Sequence, residues 1–236
     1  MGKKIAIYGA GTIGACQATL TSGNGYSTVV IGHSEEGLSR CRNTMLQNWN
    51  DLIAQKLATA ANRRAAMDLV TITNDVSALR DCDIVFEAVS EDVNIKQRVY
   101  SIITEVCGRD IIVVSTTSSI DAAILAEKIE NPARFLIAHP FQPVHMLPLV
   151  EVVRHTETSE ETLNQVCTLL KDLNRQVVML NRSVPGFLVN RFAQALFLES
   201  IYLIEQGITT AADRGSPLRR TLIGQLSMQL ECGTLL

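Results

Sequence analysis

The sequence predicts an α/β fold: a doubly wound, mostly parallel sheet followed by a short, all-helical region. Three observations carry that expectation. Short apolar runs rich in Val and Ile recur along most of the chain, helical stretches separate most of them, and a glycine-rich turn follows the first run at once. With 236 residues, 47% of them hydrophobic and 19% charged, the chain is long enough to bury a substantial core.

In chain order, residues 5–8 read as the first strand, and Gly9-Ala10-Gly11-Thr12-Ile13-Gly14 turns out of it. Helical character continues through 16–21, and 28–31 supply a second strand. Residues 35–66 are rich in Ala, Leu, Arg and Gln and read as one long or broken helical segment. Further strands are expected at 69–72, 84–89, 111–115, 135–138, 149–153 and 177–180, with helices near 91–107, 120–130 and 159–173. The sheet pattern stops near Leu180, and Val184-Pro185-Gly186-Phe187 opens a long apolar helix over 188–205.

The turn at 9–14 has the spacing GxGxxG. On its own that is a weak signal, but here it lies between a strand and a helix, where its mechanism requires it. Gly9 serves the tight turn, Gly11 lets backbone approach a pyrophosphate, and Gly14 lets helix and strand pack closely. The phosphates would rest on the helix N-terminus, where unpaired N–H groups and the helix dipole favour an anion. The expected division is therefore a dinucleotide-binding, Rossmann-type domain over 1–183 and a helical region over 184–236. The second strand ends at Gly32-His33-Ser34 and not in the acidic residue that usually binds the adenosine ribose. Glu35 and Glu36 offer a substitute carboxylate, and Arg40 and Arg42 offer partners for a 2′-phosphate, so both NAD and NADP remain open at this point.

Composition removes several classes of function. Formal net charge is −3, and the pair Arg219-Arg220 is too short for a nucleic-acid patch. No apolar run approaches the roughly 20 residues of a membrane-spanning helix. Met1-Gly2-Lys3-Lys4 leads directly into the first strand and leaves no room for a signal peptide. Cys16, Cys41, Cys82, Cys107, Cys167 and Cys232 are scattered, without a CxxC pair or clustered histidines. That pattern points to reduced thiols in a cytoplasmic protein and to no metal site.

The most informative stretch is HPFQPVHMLPLVEV, bracketed by His139 and Glu151 twelve residues apart. Pro140, Pro143 and Pro148 exclude a helix between them, so the chain turns or runs extended. Glu151 then falls inside the apolar run Leu149-Val150-Glu151-Val152-Val153. A carboxylate there is costly to bury unless something pairs with it. Taken alone, the two residues read as a solvent-facing edge carboxylate and a satisfied core histidine. Taken with the glycine turn upstream, they read as an oriented acid/base pair.

Four motifs in this order and spacing resemble the 3-hydroxyacyl-CoA dehydrogenase family over roughly residues 3 to 210. They are GAGTIG at 9–14, FEAVSEDVNIK at 86–96, STTSSI at 115–120 with HPFQP at 139–143, and LVEVV at 149–153 with VPGFLVNR at 184–191. The resemblance implies a nicotinamide-dependent interconversion of a 3-hydroxy and a 3-keto group, with NAD the expected cofactor and NADP not excluded. It casts His139 as general base, Glu151 as its orienting partner, Ser118 as a hydrogen-bond donor to the reacting oxygen and Asn190 as a contact to substrate oxygen. It places Gly9, Ala10, Gly11, Thr12, Ile13, Gly14, Gly32, Glu91, Lys96 and Gln142 at the cofactor. Read without the resemblance, Ser118 or Ser119 would cap a helix at 120–129, Glu91 and Lys96 would form a solvated helical pair, and Asn190 would be a polar residue on a packed helix.

Pro140, Gln142, Pro148 and Thr116 depart from the acyl-CoA members and are similar to the branch containing carnitine dehydrogenase and the gulonate dehydrogenase (lambda-crystallin) group. That branch acts on small free 3-hydroxy acids, so such an acid is favoured over a CoA thioester. After Gly207 the chain no longer follows the family, and the helical region is expected to be shorter than in its members. The implied partners are the small-molecule substrate and a second copy of the chain in a homodimer, with no nucleic acid and no membrane. The competing expectation, from another functional class, is a dinucleotide-binding protein with a structural or sensing role that no longer turns over.

Overall fold

A computed structural model describes residues 3–210. They divide into two compact units, the first ending at Phe187 and the second beginning at Leu188. The part of the expected helical region beyond 210 lies outside the described residues.

The first unit is built on an eight-stranded sheet in the order β3-β2-β1-β4-β5-β6-β7-β8. Its strands are β1 (Lys4–Tyr8), β2 (Ser27–Ile31), β3 (Val70–Thr73), β4 (Ile84–Glu87), β5 (Ile112–Ser115), β6 (Phe135–Pro140), β7 (Leu149–Arg154) and β8 (Gln176–Leu180). The helices are α1 (Thr12–Gly23), α2 (Glu35–Ala54), α3 (Ala60–Asp68), α4 (Val93–Cys107), α5 (Ala122–Ala126) and α6 (Glu160–Asp172). Every adjacent pair of strands is parallel except β6–β7. The reason is the connection: parallel neighbours need a crossover of a dozen or more residues, and only eight residues with two prolines, 141–148, separate these two strands.

Central strands are apolar on both faces because helices cover both. On one face Ile5, Ile7, Val30, Ile84, Phe86, Ile112, Val114, Leu136, Ala138 and Val152 share a core, and on the other Ala6, Val29, Ile31, Val85, Val113, Ile137 and Val153 are buried as well. Helix α1 is buried along most of its length despite Thr19, Thr21 and Ser22. Their hydroxyls donate to the carbonyls of Ala15, Gln17 and Ala18 one turn back, which satisfies them inside the helix.

The expected segment 35–66 is two helices. Thr59 ends the break with a capping box: it accepts from the Asn62 N–H, and the Asn62 side chain accepts from the Thr59 N–H. The helix expected near 120–130 is only five residues long, and Pro132 bars helical backbone immediately before it. Neither Ser118 nor Ser119 caps that helix; Asp121 does, accepting from the Ala123 N–H at 2.8 Å.

The second unit contributes α7 (Val189–Glu205), whose Phe192, Leu198 and Tyr202 are exposed. Among the described residues no helix is long and apolar enough to cross a membrane, and no cluster of His, Cys, Asp and Glu is arranged to hold a metal.

Candidate active site

The chain runs outward from β1 to β3 and then returns to β4 on the other side of β1. That reversal opens a crevice at the carboxyl ends of β1 and β4, the place where open α/β sheets bind ligands. Gly9 turns out of β1 there with φ +131°, and a Cβ at this position would collide with the Ala88 carbonyl oxygen beyond β4. A Cβ on Gly14 would collide with the carbonyl oxygen of Gly9, so the loop closes tightly onto α1. Gly11 is different: nothing lies within 4 Å of the space its Cβ would fill, and no side chain caps α1 there. The loop therefore leaves open backbone at a helix N-terminus, as a pyrophosphate requires.

At the end of β2, a Cβ on Gly32 would come within 2.6 Å of Leu38 and 2.8 Å of Ala10, so glycine lets the loop and α2 meet. The substitute ribose carboxylates are engaged elsewhere. Glu35 accepts from the Asn74 side-chain amide at 2.9 Å, and Glu36 pairs with Arg40 one helical turn on. Both members of that second pair are exposed.

Beside the loop lies a cavity of about 320 Å³ whose lining includes Ile13, Glu91, Lys96, Ser118, His139 and Gln142. Six of the residues singled out from the sequence are thereby brought to one space, from four different strand ends. Asn190 is the second residue of α7 and belongs to the second unit.

His139 and Glu151 are direct cross-strand partners in the antiparallel β6–β7 pair. Register explains the spacing of twelve: opposed residues point to the same face with their side chains in contact. The Nδ1–H of His139 donates to Oε2 of Glu151 at 3.0 Å. Glu151 is fully buried and His139 is 6% exposed. β8 covers the far side of β7, so Glu151 is not an edge residue facing solvent. The carboxylate fixes the tautomer and leaves Nε2 of His139 with the lone pair. Phe141 and Phe187 flank the imidazole, with ring centroids 4.6 and 5.5 Å away. Phe187 sits at φ 49°, an uncommon conformation for a bulky residue, directly after Gly186 in the VPGF turn. Both rings were inside quoted motifs, but nothing in the sequence showed that they bracket His139.

Glu91 and Lys96 are not a solvated helical pair. Glu91 precedes α4, which Asp92 caps, and Lys96 is 1% exposed. The Lys96 ammonium lies 2.8 Å from Oε1 of Glu87 and 3.3 Å from Oε2 of Glu91. Glu91 also accepts from the Thr117 hydroxyl at 2.5 Å and the Ser118 N–H at 3.0 Å. Burial by itself would raise the Glu91 carboxyl; the Thr117 hydroxyl, the Lys96 charge and the Ser118 N–H together outweigh it and hold it below its ordinary value. Sequence reasoning missed Glu87, which is buried at the end of β4. The available signal was a carboxylate closing the apolar run Ile84-Val85-Phe86, nine residues before a lysine.

These features define a Rossmann-type dinucleotide-binding fold with a buried His139–Glu151 pair beside its crevice. Residues 4–183 match the family model described as 3-hydroxyacyl-CoA dehydrogenase, NAD binding domain, and the chain belongs to that family. It is 30% identical over 229 residues to L-carnitine dehydrogenase of Bacillus cereus, covering 94% of this chain and 69% of that protein. It is 32% identical to 3-hydroxyadipyl-CoA dehydrogenase of Escherichia coli, covering 86% of this chain and 43% of that one. The crystal structure of FadB2 from M. tuberculosis superposes with a TM-score of 0.86 at 29% identity, covering 92% of this chain and 76% of that one. The chain thus spans between about two fifths and three quarters of the lengths of these proteins.

Proposed function

We propose that the protein is an NAD-dependent oxidoreductase interconverting a 3-hydroxy acid and its 3-keto form. The observation that carries the reading is the His139–Glu151 pair, 3.0 Å apart and buried, with the imidazole on the wall of a cavity that also meets the dinucleotide loop. A secondary alcohol is a poor acid, so its oxidation needs a base, and histidine both takes and returns a proton near neutral pH. His139 removes the hydroxyl proton through Nε2, and Glu151 stabilises the imidazolium that results. Ser118 holds the reacting oxygen, and Asn190 contributes a contact to substrate oxygen on the strength of its motif. When bound, NAD supplies the hydride acceptor. The open backbone at Gly11 and the uncapped start of α1 fit its pyrophosphate, and Glu91 with Lys96 fits the ribose at its nicotinamide end. The match of residues 4–183 to a family's NAD binding domain supports NAD.

For the substrate, Pro140, Gln142 and Pro148 support a small free acid, in keeping with the similarity to L-carnitine dehydrogenase. The exposed apolar side chains Phe192, Leu198 and Tyr202 on α7 support assembly as a homodimer, which sedimentation velocity tests. The deciding assay follows NADH oxidation with a free 3-keto acid and, separately, with its CoA thioester. Turnover of the free acid at the higher kcat/KM supports the proposal. Tight NADH binding with no turnover of either would establish instead a dinucleotide-binding protein that does not catalyse.

A further inference from the structure

Glu87 takes no part in the reaction proposed above, yet four donors converge on its carboxylate. On Oε1 these are the Lys96 ammonium at 2.8 Å and the Val89 N–H at 2.9 Å. On Oε2 they are the Tyr100 hydroxyl at 2.8 Å and the Ser115 hydroxyl at 2.7 Å. A carboxylate offers about four lone-pair directions, so this one is saturated. It is also fully buried, as are Tyr100 and Ser115, so it reaches no ligand. An uncompensated carboxylate in this position is strongly unfavourable. Its neighbours are placed accordingly: Ser115 is its cross-strand partner on β5, and Lys96 and Tyr100 lie one turn apart on α4.

What Glu87 touches is functional. Val89 and Lys96 line the cavity, and Lys96 in turn meets Oε2 of Glu91, which lines it too. The ammonium is held from behind by a carboxylate that ligand cannot reach and shared in front with one that ligand can. We infer that Glu87 is a positioning residue for the cofactor site: it anchors the Lys96 ammonium, and through Lys96 it places the Glu91 carboxylate. This inference rests on the reading that Lys96 and Glu91 reach the cofactor.

Glu87→Gln keeps the volume and can still bond all four groups, its oxygen toward Lys96 and the Val89 N–H and its NH2 toward the Tyr100 and Ser115 hydroxyls, which can accept; what it removes is the negative charge that holds the ammonium. NADH Kd, measured by fluorescence titration, is compared for wild type, Glu87→Gln, Lys96→Gln and the double variant, with melting temperatures to establish folding. Glu87→Gln weakens NADH by about tenfold, the size expected when a charged hydrogen bond is lost. Because Glu87 acts through Lys96, the double variant binds no worse than Lys96→Gln alone. Wild-type affinity in folded Glu87→Gln, or single effects that multiply in the double variant, overturns the inference and leaves Glu87 a purely structural residue. Unchanged affinity in Lys96→Gln overturns the underlying reading of Lys96 itself, whatever Glu87 does. Should Glu87→Gln fail to fold, Glu87→Asp takes its place: it keeps the charge but withdraws the carboxylate from the Lys96 ammonium by one methylene. That variant weakens NADH by about fivefold, and an unchanged Kd overturns the inference equally.

Discussion

Replacing Glu151 with Gln isolates the contribution of charge to the dyad. The amide has nearly the volume of the carboxylate, and its oxygen can accept from the Nδ1–H of His139 at the same 3.0 Å, so the resting tautomer survives. What is lost is the interaction with the imidazolium formed when His139 takes the substrate proton. At that separation and an effective dielectric constant near 20, the gross Coulomb energy is about 5 to 6 kcal/mol. Most of this is offset by the desolvation that burial of both groups imposes, and the net worth of a charged hydrogen bond is about 1.5 to 3 kcal/mol. The variant is therefore expected to lose about 10- to 150-fold in kcat. NADH Kd should stay within about twofold, because Glu151 lies behind the histidine, outside the cavity lining. Steady-state kinetics with a parallel NADH titration and a melting curve measure all three quantities. A folded Glu151→Gln protein that binds NADH and turns over at the wild-type rate would refute the reasoning, since it would show that no positive charge develops on His139.

Other consequences follow from the same geometry. Gly14→Ala forces a Cβ against the Gly9 carbonyl, so NADH binding should be lost and the melting temperature should fall, as calorimetry with and without NADH will show. Because the folded Glu91 carboxyl lies below its ordinary 4.5, its contribution to stability is present above that value and disappears as pH falls through the lower, folded one. Glu91→Gln should accordingly lower the melting temperature in the neutral range and flatten its acid limb, so that the two proteins converge at low pH, and an unaltered acid limb would contradict the assignment. Phe187→Leu keeps an apolar side chain but removes the ring that flanks His139. It should cost about 1 kcal/mol, or roughly 2 to 4 °C in Tm, with a larger proportional loss in kcat than in NADH affinity.

Much of this architecture is legible in the chain. The strand–glycine turn–helix unit, the recurring Val- and Ile-rich runs and the change to an apolar helix after the sheet each follow from local periodicity. The antiparallel β6–β7 pair was within reach as well, since 141–148 is too short for a crossover and its prolines exclude a helix. What periodicity cannot supply is convergence. Nothing local says that Val89, Lys96, Tyr100 and Ser115 all turn toward Glu87, or that Phe141 and Phe187 both pack against His139. Those contacts depend on strand order, and β4 lies beside β5 and β1 only because the chain reverses direction at β1. The polar residues of the site were misleading for a related reason. Ser118 and Ser119 have the composition of a helix cap, but the helix begins later and Asp121 caps it; the Glu91–Lys96 spacing resembles a solvated pair, but Lys96 is buried, and burial is a tertiary property.

The central claim is that His139 performs proton transfer and does not simply fill space beside Phe141 and Phe187. It is tested most directly by comparing His139→Gln with wild type for turnover of a 3-keto acid and for NADH affinity in the same preparation. If His139 is the acid/base, kcat falls by about 10²- to 10⁴-fold while NADH Kd and melting temperature stay close to wild type. A His139→Gln enzyme that retains its rate would contradict the account, whatever its stability.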